Sequence, residues 1–166
     1  MKYIEPIYII KEETRKKQYL ELLLLGDEQE SMIDRYLERG EMFVMFSTES
    51  DSPIGVAVVT DEGNGVCELK NIAILPSVQR HGYGRKFITY LCQQYKRKKQ
   101  IMQVGTGDSV QTTSFYRSCG FHYSHTIPNF FTDHYDHPII EEGKLLQDMI
   151  YFQKELTDQR HGLLIE

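Results

Sequence analysis

The residues best suited to chemistry in this chain are Gln79-Arg80-His81-Gly82-Tyr83-Gly84-Arg85. They follow an apolar run, residues 69–75, that reads as a buried strand stopped by Pro76. They precede Phe87, Ile88, Leu91, Cys92 and Tyr95, whose spacing builds one apolar helix face. A glycine-rich turn between a strand and a helix N-terminus is an anion site, because first-turn N–H groups and the helix dipole both favour negative charge there. Gly82 and Gly84 let a phosphate approach the backbone with no Cβ in the way. Arg80, His81, Arg85 and Lys86 surround the turn with cationic or polar donors. The run has neither the Gly-Lys-Ser/Thr of a Walker loop nor the first glycine of a dinucleotide fingerprint.

The stretch Ile72-Ala73-Ile74-Leu75-Pro76-Ser77-Val78-Gln79-Arg80-His81-Gly82-Tyr83-Gly84 resembles motif A of the GNAT N-acetyltransferases, which are acetyl-CoA-dependent acyltransferases. Further on, Ser114-Phe115-Tyr116-Arg117-Ser118-Cys119-Gly120-Phe121 resembles their motif B. The two stand in the family's order, and the resemblance is specific over residues 68–121. It implies an α/β (α+β) fold with a mixed, mostly antiparallel sheet of about seven strands and helices on both faces. It also implies direct transfer of an acetyl group from acetyl-CoA, as co-substrate and without a metal, to a primary amine of a small molecule or peptide. The pyrophosphate would lie on Gln79, Arg80, His81, Gly82, Tyr83, Gly84 and Arg85. The pantetheine arm would pair as an added strand with the backbone of Ile72, Ala73 and Ile74. Tyr116 matches the family's general acid, a phenol that protonates the departing thiolate. Glu68 lies eleven positions before Gln79, the offset of the general base in the histone-acetylating branch. Such a base is needed because an alkyl amine is protonated at neutral pH and attacks a thioester only when neutral. Many members have an asparagine near the start of the motif B helix; here Asp108 and Ser109 stand there, and Ser109 can still donate a hydrogen bond to the co-substrate. The alternative, from a different class, is a non-catalytic acyl-CoA-binding sensor or interaction module with the same fold.

The elements that must hold these residues can be read in outline. Ile4, Ile7 and Ile9 suggest a first strand, and residues 12–25 and 31–39 two helices closed by Gly26 and Gly40. Residues 42–47, 54–60 and 66–75 form an antiparallel meander with turns at 49–53 and 61–65. In the last of these strands Cys67 and Leu69 share one face but Ile72 and Ile74 share the other. That parity switch fits a β-bulge near Lys70-Asn71 or a strand buried on both faces at its end. The resemblance implies the bulge, with an N–H near Ile72 as oxyanion donor. After the motif A helix come a strand at 101–106 and a helix capped by Asp108, with Gln111 completing a capping box and Gly120 as its left-handed stop. A strand begins at His122 and the last strand covers 145–155, leaving 156–166 as a tail or short helix. His122 and His125, three apart, should face opposite sides of their strand and share no metal. The aromatic, acidic segment 127–142 sets acceptor specificity if any segment does. Its His134, Asp136 and His137 are read as part of a loop packing its own aromatics rather than as a metal site.

Composition narrows the partners. The chain has 166 residues, 40% of them hydrophobic and 26% charged, enough for a single domain over 1–166 with a real core. A formal net charge of −5 argues against general nucleic-acid binding. Residues 1–10 carry no signal-peptide pattern, and the aliphatic run 22–25 is far too short to span a membrane. Three cysteines without metal spacing read as reduced residues of a cytoplasmic protein. The expected assembly is a monomer or homodimer.

Overall fold

A computed structural model describes residues 6–156. Ile4 and the segment after Leu156 lie outside the described residues. Seven strands hydrogen-bond in the order β1 (Ile7–Glu12), β2 (Glu41–Ser47), β3 (Pro53–Gly63), β4 (Val66–Ile74), β5 (Ile101–Thr106), β9 (Met149–Glu155) and β6 (His122–Ile127). A separate hairpin joins β7 (Ile140–Glu141) to β8 (Lys144–Leu145). The β1–β2, β2–β3, β5–β9 and β6–β9 pairs are antiparallel. The helices are α1 (Leu20–Gly26), α2 (Glu30–Ile33), α3 (Tyr83–Tyr95), α4 (Val110–Ser118) and α5 (Phe130–His134). The chain forms two compact units. One holds the described residues up to Thr60 with Leu69–Phe87; the other holds Asp61–Glu68 with the described residues from Ile88 onward.

In the first unit β2 and β3 as far as Thr60 are covered on both faces, while the edge strand β1 leaves Tyr8 and Ile10 exposed. Val44, Val56, Val58 and Ala73 pack against Leu22, Leu23, Ile33, Tyr36 and Leu37 of the α1–α2 region. On the opposite parity Phe43, Met45, Ala57 and Val59 are also buried, and Phe87 of α3 lies on that side, 3.5 Å from where a Cβ on Gly55 would stand. Full burial on both faces explains the near-continuous apolar sequence of β2 and β3.

The two N-terminal helices are shorter than their sequence suggests. Glu12 ends β1 rather than starting a helix, and its carboxylate accepts from the N–H groups of Thr14 and Arg15, turning the chain. A 3-10 turn (Lys16–Tyr19) then leads into α1. The second helix stops at Ile33, although Tyr36 and Leu37 are buried as their spacing required. Apolar spacing reports which residues face inward; it does not fix the length of the hydrogen-bond ladder.

Strand β4 keeps one parity buried throughout: Cys67, Leu69, Asn71 and Ala73. A polar residue, Asn71, occupies a core position, and Ala73 and Ile74 are both buried, as in a strand covered on both faces at its end. Asn71 Nδ2 donates to the Leu23 carbonyl at 2.9 Å and to the Tyr36 hydroxyl at 3.2 Å, and Tyr36 donates to Asp27 Oδ2 at 3.0 Å. Asn71 thereby adds a second donor to the Leu23 carbonyl, which also accepts from Asp27 N–H at 3.0 Å, and ties the C-terminal turn of α1 to β4.

In the second unit Phe131, Ile139 and Leu146 form a small core of their own, with Phe130, Tyr135 and Met149 against it. The aromatics of segment 127–142 are therefore spent on packing that segment.

Candidate active site

The glycine-rich loop belongs to the first unit. Ala73 and Ile74 are buried at the end of β4 and Ile72 is half-buried. Gln79 folds back and donates through Nε2 to the Ile74 carbonyl at 2.9 Å, tying the loop to the strand it leaves. Arg80 and Gly82 both adopt left-handed backbone, at φ of 68° and 85°. At Gly82 nothing lies within 4 Å of an added Cβ, so glycine is favoured there by its left-handed conformation, and the space above it is open. The Gly82 carbonyl accepts from Lys86 N–H at 3.0 Å, the opening bond of α3. Tyr83 is buried and anchors the loop, while Arg80, His81, Arg85 and Lys86 are exposed around it. An open glycine, a helix N-terminus and a ring of basic side chains fit a polyphosphate.

The second unit carries a polar row across one sheet face. Glu68 on β4 is only 4% exposed. Its Oε1 accepts from Gln103 Nε2 on β5 at 2.7 Å, and its Oε2 accepts from the Tyr151 hydroxyl on β9 at 3.0 Å. Tyr151 in turn stacks on His125 of β6, with ring centroids 4.7 Å apart and planes within 3°. Burial, and then the Glu68 charge, push the Tyr151 phenol above the ordinary tyrosine range. A register shift between Tyr123 and His125 makes Ser124 the extra residue of a bulge, so His125 pairs with Tyr151 while His122 pairs with Gln153. The two histidines thus share a face, contrary to simple alternation. Among the described residues no group of three or more His, Cys, Asp or Glu is placed to hold a metal ion.

Tyr116, on α4, is buried among Phe115, Phe121 and Phe152, at ring distances of 5.3, 5.8 and 6.5 Å. Burial raises its pKa above the usual phenol value, and Cys119 and Glu141 add to the effect. The hydroxyl therefore keeps its proton at neutral pH. The helix is capped by Ser109 rather than Asp108. Ser109 Oγ accepts from Thr112 N–H at 3.4 Å and donates to Glu141 Oε1 at 2.8 Å. Asp108 instead receives Lys144 Nζ at 2.9 Å. Glu141, on β7, brings negative charge to the positive end of the α4 dipole and fastens the hairpin there.

A family model described as an acetyltransferase (GNAT) domain matches residues 38–123, a span that contains Glu68, the glycine-rich loop and Tyr116. The chain is also 33% identical over 147 residues to an uncharacterized N-acetyltransferase, YvbK, of Bacillus subtilis, covering 87% of this chain and 93% of that protein. This chain belongs to the GNAT acetyltransferase family. A GNAT acetyltransferase of Elizabethkingia anophelis, solved with acetyl-CoA bound, superimposes with a TM-score of 0.84 at 30% identity, covering 90% of this chain and 97% of that one. A Bacillus subtilis acetyltransferase in complex with CoA gives 0.82 at 30% identity, covering 90% and 99%. As a GNAT N-acetyltransferase the protein uses acetyl-CoA as its co-substrate.

Motif reading singled out the loop, Glu68 and Tyr116 as candidates and did not name Gln103 or Tyr151, the two side chains that donate to Glu68. Their signal was present: a glutamine in an otherwise apolar strand, two positions from a glycine, marks a face with a polar task. Which strand that face served depended on sheet order.

Proposed function

We propose that this GNAT enzyme acetylates a primary amine of a small molecule or peptide by direct attack on acetyl-CoA, with Glu68 as general base and Tyr116 as general acid. The observation that carries this reading is Glu68 itself, a buried carboxylate held by two donors, in a family whose reaction requires a proton acceptor. The amine loses its proton to Glu68, directly or through one water. Its lone pair then forms the new C–N bond as the C–S bond breaks and Tyr116 gives its proton to the thiolate. The acetylated nitrogen, still carrying two protons, releases one to water, Tyr116 regains a proton from water, and Glu68 returns its own to solvent. Backbone at Ile72, Ala73 and Ile74 receives the pantetheine arm, and an N–H near Ile72 faces the developing oxyanion. Gln79, Arg80, His81, Gly82, Tyr83, Gly84 and Arg85 form the pyrophosphate loop. Within it Gln79 and Tyr83 act as anchors and the backbone with Arg80, His81 and Arg85 as donors. Ser109 supports the site as the cap of α4. The acidic composition, at net −5, suits a cationic acceptor. The free cysteines Cys67, Cys92 and Cys119 suit a cytoplasmic setting.

Thiol release from acetyl-CoA over a panel of polyamines, aminoglycosides, amino acids and peptide N-termini tests the activity; release with no amine in the panel would favour a binding module. The loop is tested separately. Gly84→Asp adds bulk and a repelling carboxylate where two phosphate charges would lie, and is expected to abolish CoA binding by calorimetry while far-UV circular dichroism stays unchanged. Unaltered CoA affinity in the folded variant would remove the loop assignment.

A further inference from the structure

We propose that Tyr151 is a positioning residue for acetyl transfer: its phenol, carried across β5 at Gly105, fixes the Glu68 carboxylate in the orientation in which it takes the acceptor's proton. The proposal rests on the reading of Glu68 as the base.

The sheet order puts β5 between β4 and β9. Neighbouring strands lie about 4.8 Å apart, so the Glu68 and Tyr151 backbones are separated by roughly 10 Å. A side chain on the intervening strand would block the path between them. The residue directly opposite Tyr151 in the β5–β9 register is Gly105. A Cβ there would stand 2.8 Å from Tyr151 Cζ and 2.6 Å from Met149 Sδ, so the ring occupies the space that the missing side chain leaves. The bulge at Ser124 turns His125 onto the same face, where its ring stacks flat on Tyr151. Two irregularities in two strands, a glycine and a bulge, thus serve one phenol.

The consequence falls on Glu68. Each carboxylate oxygen has two lone pairs, and each here receives one donor, from Gln103 and Tyr151. Donors to the charged form favour it and offset its desolvation, and they hold the carboxyl plane still. The titratable groups facing Tyr151 are Glu68 on β4, His125 on β6 and, at longer range, Glu62 on β3. Tyr151 keeps its proton throughout, and the amine's proton passes to Glu68.

The test is a double-mutant cycle on kcat/KM, using the panel amine that releases thiol fastest, over pH 5.5–9.5. Tyr151→Phe keeps the ring and its stack. It is expected to lower kcat/KM at neutral pH by roughly tenfold and to move the acidic limb up by about one pH unit. In a Glu68→Gln background the same change should cost less than about twofold, since the group it acts through is gone. Introducing 3-fluorotyrosine at position 151, a stronger donor of nearly the same shape, should move the acidic limb the other way. CoA affinity is measured on each variant and should match the parent, while Tyr151→Phe should lower the melting temperature by a few degrees because a buried carboxylate loses a donor. Additive losses, or an acidic limb unmoved in both position-151 variants, overturn the positioning role alone. A Glu68→Gln enzyme with the wild-type profile overturns the base reading and this proposal together.

Discussion

The general-acid role proposed for Tyr116 would fall to a packed residue. The ring is a core residue, held edge-on by Phe115 and Phe121, and the burial that makes it so also keeps its proton on. Tyr116→Phe retains the ring and is expected to lower kcat by ~10²–10⁴-fold, the usual loss for a general acid, with acetyl-CoA affinity unchanged. A variant with near-normal kcat would leave Tyr116 with packing alone. The sign of the pH effect follows from the shift. An acid works while protonated, and a pKa raised above ~10 keeps the phenol protonated through the moderately alkaline range. The alkaline limb of the wild-type kcat profile should therefore not fall below pH ~10 on account of this residue. At the same scale Cys67 is a different case: burial pushes its thiol up to about 12, so it should resist iodoacetamide at neutral pH in the folded enzyme. Mass spectrometry of labelled peptides checks this.

At the scale of elements, the joint between α1 and β4 is the tightest fit. A Cβ on Gly26 would come 2.1 Å from Asn71 Oδ1 and 3.1 Å from the Ile72 carbonyl. The amide cannot swing away without losing its bonds to Leu23 and Tyr36. Gly26→Ala should therefore cost about 1–3 kcal/mol, as overpacking does, and lower the melting temperature by several degrees. Pairing it with Asn71→Ala should cost less than the sum of the two single changes, because the clash disappears with the amide. Urea titrations of the three variants measure both outcomes. Gly26 looked like an ordinary helix stop in the sequence; the reason it must be glycine lies forty-five positions away, on another strand.

For the whole molecule, a co-substrate that binds only the folded chain must stabilise it by mass action. Acetyl-CoA at a hundredfold excess over its dissociation constant should add ~2.7 kcal/mol and raise the melting temperature by roughly 5–10 °C in scanning fluorimetry. Gly84→Asp should abolish that rise. The sequence by itself determined the family, the strand-to-helix order around the glycine-rich loop, and many of the residues that turn inward, Tyr36, Leu37, Phe87, Ile88 and Leu91 among them. These are local matters: glycine conformation, strand-to-helix order and apolar period act within a few residues of one another, so they are written in neighbouring letters. The tertiary structure alone decided that Glu68 is gripped by Gln103 and Tyr151, that His122 and His125 share a face, that Asn71 is a core residue, and that Ser109 rather than Asp108 caps α4. Each of those depends on which strands become neighbours, on one bulge in register, or on a carboxylate arriving from a distant hairpin. Such pairings are set by how the buried faces of the elements pack together, and side-chain spacing along a single element does not record them.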